Sequence, residues 1–430
     1  MNRKVLLFIV AILLPCTLLS AELRFNAESL SNFTIVYEQS AEDEVGIEAA
    51  NHLKKFLKKE YDINVPVIKD SEIVIGPKFL LKSLSLGNSR KKEQNDTFDY
   101  SINIRSKEIT IYAGGCWAMD YAIDRLKELF AQSKTKEKGN IYGKFIFPRF
   151  NGTNLRILDD NIWQYDKAES PTNWKAMGIE CTSKHRSRYL AELVYAFEPD
   201  IVALQEYSSH MDAILRPLLQ DRGYKIAFPF NHKPFNFTPI FFNSKTVKLI
   251  ESKYVPHTPS QYNNHGTKSF TLGVFTLSNN DKKFIVVGTH LWWKSEKSQQ
   301  GSDDARTQQV RAIIKEVDKV LEKYNVPVFV MGDMNCTITS EAMKQFLDAG
   351  YAPAWDVATE FGDKRSGHHV CSPKDGFSRR QNRKDDGKGQ IDHFFIYNAH
   401  RAKIRIFKRI QAFFTVPITD HYPNYADIDL

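Results

Sequence analysis

Six apolar runs of this chain carry polar side chains at or beside their ends, where burial is costly unless something uses them. In order they are ILDDNIW with Asn161, PDIVALQEY with Glu206, VVGTHL with His290, PVFVMGDMN with Asp333 and Asn335, GQIDHFFI with Asp392, and ITDHYP with Asp420 and His421. Oxygen donors dominate the set. Such donors suit a small hard cation, Mg²⁺ or its substitute Mn²⁺, which keeps several waters and binds through one or two carboxylates plus a substrate phosphate. Taken singly, each residue has a plainer reading. An Asn after a strand is commonly a turn residue, an Asp commonly caps a helix, and a lone His commonly sits satisfied in a core. Six in order would need six coincidences, and the joint pattern is what points to a site.

This ordered series resembles the motifs of the endonuclease/exonuclease/phosphatase superfamily, which includes deoxyribonuclease I, abasic-site endonucleases, neutral sphingomyelinases and inositol polyphosphate phosphatases. The resemblance runs from about residue 155 to the C-terminus. It implies a four-layer α/β sandwich with the site at one end of two packed sheets. Carried over residue by residue, it implies that Glu206 is the principal carboxylate on the metal, with Asn161 supporting the ion or its waters and Asp420 as a further metal or water ligand. It implies that Asp333 orients or deprotonates the attacking water and that Asn335 holds a phosphoryl oxygen, the two sharing one face of an extended chain. His421 would donate to the phosphate, Asp392 would fix its tautomer and orientation, and His290 would serve the phosphate or leaving group. The metal would supply charge screening and Lewis acidity, and no covalent intermediate is implied.

Two positions depart from that pattern. Asp160 stands where relatives more often carry an uncharged or aromatic residue; the extra carboxylate either adds a metal contact or faces solvent, and the solvent reading is the expected one. Thr419 replaces a common Ser and keeps the hydroxyl. After the TH pair come Trp292 and Trp293, which could wall a sugar or base or simply be core, one pointing inward and one outward in a strand. The stretch 362–389 precedes Asp392 and offers Arg379, Arg380 and Arg383 to a phosphate-bearing substrate, or is an exposed loop without contact. Its HHVC run, with His368, His369 and Cys371, has no partner motif to make a zinc site.

The elements that must position these residues are apolar strands at 155–163, 201–207, 238–243, 270–277, 284–291, 326–331, 391–397 and 425–430, with helices between some of them. The mixture predicts two packed sheets with helices outside. One helix is clear over 303–321, with Val310, Ile313, Ile314, Val317 and Leu321 on a stripe and Ser302 as its N-cap.

Before that region lies a smaller α+β unit. A strand is expected at 32–38 and an amphipathic helix at 44–61 with Ile47, Ala50, Leu53, Phe56 and Leu57 inward. Short strands follow at 72–75, 100–104 and 109–111, and a second helix at 117–130 after Gly114 and Gly115. The order of helix, EIVIGPK and DYSINIRSKEITIYAGGCWAMDYAIDRL resembles the small domain that precedes the catalytic barrel in family 20 hexosaminidases and α-glucuronidases. The resemblance covers about residues 30–131 and implies scaffolding in a glycan setting.

Bulk properties fit this division. At 430 residues and 42% hydrophobic content the chain is too long for one ordinary core and too apolar for disorder. Residues 1–21 read as a signal peptide, with a basic start, an apolar run too short to span a bilayer and small residues Ser20 and Ala21. Cys16 follows Pro15, which argues against a lipid-bearing site. The expected organisation is leader 1–21, accessory domain 22–131, linker 132–152 with 142–150 free to pack on either side, and hydrolase 153–430. Cys116, Cys181, Cys336 and Cys371 are widely spaced and form no CxxC pair, which indicates neither a zinc ribbon nor a dense disulfide framework and leaves room for one or two disulfides. The net charge of +8 and the basic stretch 364–409 fit a polyanionic partner or a solvated surface. The expected function is an exported, periplasmic or secreted, Mg²⁺-dependent hydrolase of a small or glycan-linked phosphoester. A nuclease is the alternative, and an inert glycan-binding protein is the reading from another class. No membrane span is expected, and the oligomeric state is left open.

Overall fold

The computed structural model describes residues 24–25, 28–37, 45–69, 76–83, 99–105, 107–113, 116–131, 139–144, 146–164, 182–228, 235–364, 390–410 and 419–430. The expected leader, the strand at 72–75, most of the loop 362–389 with Arg379, Arg380, Arg383 and the HHVC run, and Cys16, Cys181 and Cys371 lie outside the described residues. The described strands, in chain order, are β1 (Arg24–Phe25), β2 (Glu28–Ser29), β3 (Thr34–Tyr37), β4 (Val67–Lys69), β5 (Lys78–Ser83), β6 (Asp99–Ile104), β7 (Glu108–Ala113), β8 (Gly139–Lys144), β9 (Leu155–Asn161), β10 (Ile201–Gln205), β11 (Tyr224–Ile226), β12 (Ile240–Asn243), β13 (Val247–Pro256), β14 (Ser269–Leu277), β15 (Lys283–His290), β16 (Val328–Asp333), β17 (Ala352–Pro353), β18 (Phe361–Gly362), β19 (Asp392–Tyr397), β20 (Lys403–Arg409) and β21 (Asn424–Asp429). The helices are α1 (Val45–Tyr61), α2 (Cys116–Ala131), α3 (Ser183–Phe197), α4 (Ser209–Asp221), α5 (Ser302–Leu321), α6 (Glu341–Asp348) and α7 (Ala354–Val357).

The chain divides into two compact units, with the main change at residues 142–143 and the short segments 84–100 and 113–118 grouped with the second. The first is built on a six-stranded sheet of order β4-β3-β5-β7-β6-β8, in which β3 runs parallel to both β4 and β5. Its helices bury the residues their spacing selects. Ala50, Leu53 and Leu57 of α1 are in the core, as are Ala118, Ala122, Leu126 and Phe130 of α2. Phe79 packs between Phe33 and Phe130.

The second unit has the four-layer α/β arrangement. One sheet has seven strands in the order β11-β12-β10-β9-β21-β20-β18, the other six in the order β13-β14-β15-β16-β19-β17. Alternation along each strand sends one set of side chains to the space between the sheets. Leu155, Ile157, Ile201, Ala203 and Ile428 from one sheet meet Val286, Phe329, Met331, Phe394 and Ile396 from the other. The opposite set faces helices. Leu158, Val202 and Leu204 pack on Leu193 and Phe197 of α3 and Leu215 of α4. Val287, Val328 and Val330 pack on Val310, Ile313 and Val317 of α5 and Phe346 of α6.

The start of this unit is pinned by a buried arginine. Arg156 makes a bidentate pair with Asp427, at 2.5 and 2.7 Å, and donates to the carbonyls of Phe147, Pro148 and Phe197. Residues 147–150, inside the stretch expected as linker, are therefore packed on the sheet of the second unit. The helix at 302–321 also differs from expectation at its start. Gly301, with φ 82°, takes the cap position, and Glu296 accepts from the Gly301 and Asp303 amides. Ser302 instead accepts a hydrogen bond from the Trp292 indole.

Candidate active site

The site lies where the inter-sheet core runs out. Following the inner face of β16, Phe329 and Met331 are apolar and the next inward residue is Asp333. On β15 the inward series ends at His290, on β19 it begins at Asp392, and on β9 it passes from Ile157 to Asp159 and Asn161. Register brings three of these side by side, since His290 pairs with Asp333 and Asp333 pairs with Asp392. Cross-strand neighbours on one face are within reach of each other, so pairing alone assembles the row.

Backbone turns complete it. Trp163, Glu206 and Asn335, just past the ends of β9, β10 and β16, all take left-handed φ values of 54°, 59° and 50°. Such conformations cost energy in non-glycine residues and cluster at functional sites. The turn at Asn335 corrects the extended-chain expectation. Its amide donates to Asp333 Oδ1 at 2.9 Å and its side chain donates to the Leu291 carbonyl at 3.2 Å, so the two side chains do not share a strand face. Gly332 is required here, because with φ 136° a Cβ would lie 2.0 Å from the Thr289 carbonyl oxygen.

Two clusters with metal-capable donors result among the described residues: Glu206 with His290 and Asp333, and Asp333 with Asp392 and His421. Asn161 Nδ2 donates to Asp333 Oδ2 at 2.9 Å and lies 3.5 Å from Glu206 Oε1. Glu206 Oε2 accepts from the Gln164 amide at 2.7 Å. His290 Nε2 is 3.4 Å from Asp333 Oδ2 and 3.8 Å from Glu206 Oε1. In the second cluster, both Asp392 oxygens are 3.0 Å from His421 Nδ1, and His421 Nε2 is 3.9 Å from Asp333 Oδ2. Thr419 Oγ1 bonds the Asn161 carbonyl and accepts from the His421 amide, tying that loop to β9. Asp420 lies beside His421 and acts on its charge, but belongs to neither cluster.

The electrostatics separate the two histidines. Burial alone would push His421 down, but Asp392, hydrogen-bonded to it, with Asp333 and Asp420, holds its pKa well above the usual histidine value. Burial and the adjacent Lys268 push His290 down, against the pull of Asp333. The Asp333 carboxyl is desolvated, which would raise it, yet its hydrogen bond and charge interaction with His290, together with His421 and Lys268, hold it below the usual range. Glu206 is lowered in the same way, with Lys268 and His290 outweighing burial. Asp333 and Glu206 are thus favoured as carboxylates beside a His421 favoured as imidazolium, while His290 is shifted toward its neutral form.

Sequence reasoning passed over two participants, Lys268 and Asp159, and misplaced Asp160. Lys268, just before β14, is only 5% exposed and its Nζ lies 2.6 Å from His290 Nε2. Asp159 is buried, held by Gln205 Nε2 at 2.8 Å, and pushed well up by burial despite that bond. Asp160 is 1% exposed, so its expected solvent orientation is corrected. It alternates with Asp159, on the Leu158 side of β9 that packs under helices, and burial followed by repulsion from Asp159 pushes it well up. Neither Asp160 oxygen has a hydrogen-bond partner among the described residues. The tryptophans divide as expected, one inward and one outward: Trp292 is 4% exposed with its indole N–H on Ser302 and belongs to the core, while Trp293 is 53% exposed at the surface.

The donor set fits a divalent ion: ligand atoms of Glu206, His290 and Asp333 lie within 4.8 Å of one another, and Asp333 is buried beside the half-buried Glu206.

A family model described as Endonuclease/Exonuclease/phosphatase family matches residues 179–421. Nocturnin of Rattus norvegicus is 26% identical over 211 residues, covering 45% of this chain and 46% of its own length. The chain therefore spans about half the length of the curated relatives it matches. Among solved structures, the human nocturnin catalytic domain with bound sulfate aligns at 18% identity over 65% of this chain and 96% of that one, with a TM-score of 0.48. A mannosyl-6-phosphatase of Bacteroides thetaiotaomicron aligns at 15% identity over 64% and 99%, with a TM-score of 0.47.

Proposed function

This chain belongs to the endonuclease/exonuclease/phosphatase family, and from that premise we propose that it is an exported Mg²⁺-dependent hydrolase of a small or glycan-linked phosphoester. The observation that carries the reading is the convergence of Glu206, His290 and Asp333 donor atoms within 4.8 Å of one another, beside the His421–Asp392 pair. Export rests on the leader-like residues 1–21, and the glycan setting on the resemblance of the first unit to the hexosaminidase accessory domain.

In this reading Glu206 and Asn161 would hold the ion, Mg²⁺ or Mn²⁺, which would supply charge screening and Lewis acidity. Asp333, kept ionised by His290, His421 and Lys268, accepts the proton of the attacking water. His421, kept protonated by Asp392, donates to a phosphoryl oxygen as negative charge builds, and Asp392 fixes which nitrogen faces the substrate. Asn335, turned by its left-handed backbone, offers its amide to a second phosphoryl oxygen. His290 and Lys268 form the electropositive side of the centre, where the leaving group departs. Trp293 is the aromatic surface a sugar ring or base could meet.

The test is hydrolysis of a panel of sugar phosphates, glycan phosphodiesters and supercoiled plasmid by the full chain with Mg²⁺, with chelator and Asp333→Ala controls. Turnover of sugar or glycan esters lost in both controls supports the reading. Plasmid nicking without it transfers the function to a nuclease, the second reading, which the net charge of +8 favours. A nuclease would also lose affinity steeply with salt.

A further inference from the structure

The adjacent strands β9 and β10 each lead into a left-handed residue, Trp163 with φ 54° and Glu206 with φ 59°. Ile162 still pairs with β10, its amide on the Gln205 carbonyl at 3.1 Å, and the chain turns at the next residue. That turn places two consecutive amides on site residues. The Trp163 amide donates to Asn161 Oδ1 at 3.0 Å, which leaves Asn161 Nδ2 on Asp333 Oδ2. The Gln164 amide donates to Glu206 Oε2 at 2.7 Å, which leaves Oε1 toward His290. A left-handed residue other than glycine keeps that conformation only where its surroundings hold it. The residue that holds this one is Arg186 of α3, whose side chain is fully buried. Its Nη2 donates to the carbonyls of Ile162 and of Trp163, the latter at 2.7 Å, and its Cζ lies 5.4 Å from the centre of the Trp163 ring. One planar cation thus grips the backbone of the turn and its side chain together.

We propose that Arg186 is a positioning residue for the metal centre: by holding the turn at 162–164 in its left-handed form, it fixes the two amides that orient Asn161 and Glu206. The inference rests on the metal-centre reading above. Its logic is a chain of bonds, from guanidinium to carbonyls, from carbonyls to turn, and from the turn's amides to the carboxylate. Without the grip, Trp163 relaxes toward the commoner backbone regions, the Gln164 amide leaves Oε2, and the Glu206 carboxylate is free to rotate. Partners behind a metal ligand tune its affinity in this way. Arg186 acts through the backbone, so its loss should move metal affinity more than the chemistry.

The experiment is calorimetric titration of the metal-stripped full chain with Mn²⁺, beside thermal unfolding, on wild type, Arg186→Met, Arg186→Lys and the Trp163→Gly/Arg186→Met double variant. Arg186→Met should weaken Mn²⁺ binding by about 10-fold, the lower end of the scale for outer partners of metal ligands. Saturating Mg²⁺ should restore most of its kcat on bis(p-nitrophenyl) phosphate. Glycine takes a positive φ without strain, so the double variant should recover part of the lost affinity. Arg186→Lys keeps the charge and a donor without the planar fork. It should fall between wild type and Arg186→Met, and it carries the test where the methionine variant does not fold. Lower thermal stability with unchanged Mn²⁺ affinity makes Arg186 a merely structural residue and overturns the proposal, as does a loss that the glycine leaves unrelieved. Wild type that binds no Mn²⁺ overturns the metal reading itself.

Discussion

Replacing Asp392 by Asn removes the charge that holds the His421 imidazolium while keeping the size of the side chain. Both carboxylate oxygens lie 3.0 Å from Nδ1, so the variant loses a charge-assisted hydrogen bond in a buried setting. Such bonds contribute about 1.5–3 kcal/mol, and at about 1.4 kcal/mol per factor of ten this predicts a loss of roughly 10- to 150-fold in kcat/KM. The loss should depend on pH. With Asp392 present, the His421 pKa stands well above the usual value, so the imidazolium persists through neutral pH. Without it, burial acts with less opposition and the basic limb of the rate profile moves down. The deficit should therefore be largest on the alkaline side and shrink toward acid. Stability follows the same sign, because a raised native pKa contributes fully below the unfolded value and is lost as pH rises through the native one. The assay is the pH dependence of kcat/KM on a small phosphoester at saturating Mg²⁺, with thermal unfolding at each pH. A deficit equal at every pH, or an unmoved basic limb, would refute the electrostatic role of Asp392.

Further predictions concern the frame of the site. Arg156→Met should destabilise the second unit by about 3–5 kcal/mol in denaturant titrations, because it leaves Asp427 buried without its partner. Gly332→Ala should cost more than about 3 kcal/mol, beyond ordinary backbone strain, as the added Cβ meets the Thr289 carbonyl. A folded variant of near wild-type stability would contradict that contact. His257 is buried with Nε2 3.1 Å from Thr289 Oγ1, and burial, with His290 and Lys268, lowers its pKa to about 3. Between that value and its usual 6.5 the unfolded chain binds a proton that the native one does not, so stability falls on acidification. His257→Gln should make that slope shallower by up to about 1.4 kcal/mol per pH unit, measured by urea midpoints between pH 6 and 4.

The catalytic row was legible because it breaks a pattern. Polar residues at the ends of apolar strands are conspicuous, and the strands β9, β10, β12, β14, β15, β16, β19 and β21 come within one to two residues of their expected bounds. Strands at or near the sheet edges were harder. β13, at an edge, alternates Lys, Glu and Ser with few buried positions, and β20, KIRIFKR, between β21 and the edge strand β18, reads as part of a basic surface although Ile404 and Phe407 are buried. Lys268 carried no signal because a lysine before a strand is ordinarily solvated, and only the fold reveals that it turns inward against His290. Asp160 was misjudged for a related reason. Its side of β9 is covered by helices at the site end, which composition around the residue does not disclose.

The central claim is tested most directly by one titration: hydrolysis of bis(p-nitrophenyl) phosphate by the metal-stripped full chain as Mg²⁺ is restored, in parallel with Asp333→Asn and Glu206→Gln. The account predicts saturable, metal-dependent turnover in wild type, none in Asp333→Asn, and a curve shifted to higher Mg²⁺ in Glu206→Gln. Turnover that needs no metal, or that survives intact in Asp333→Asn, would contradict it.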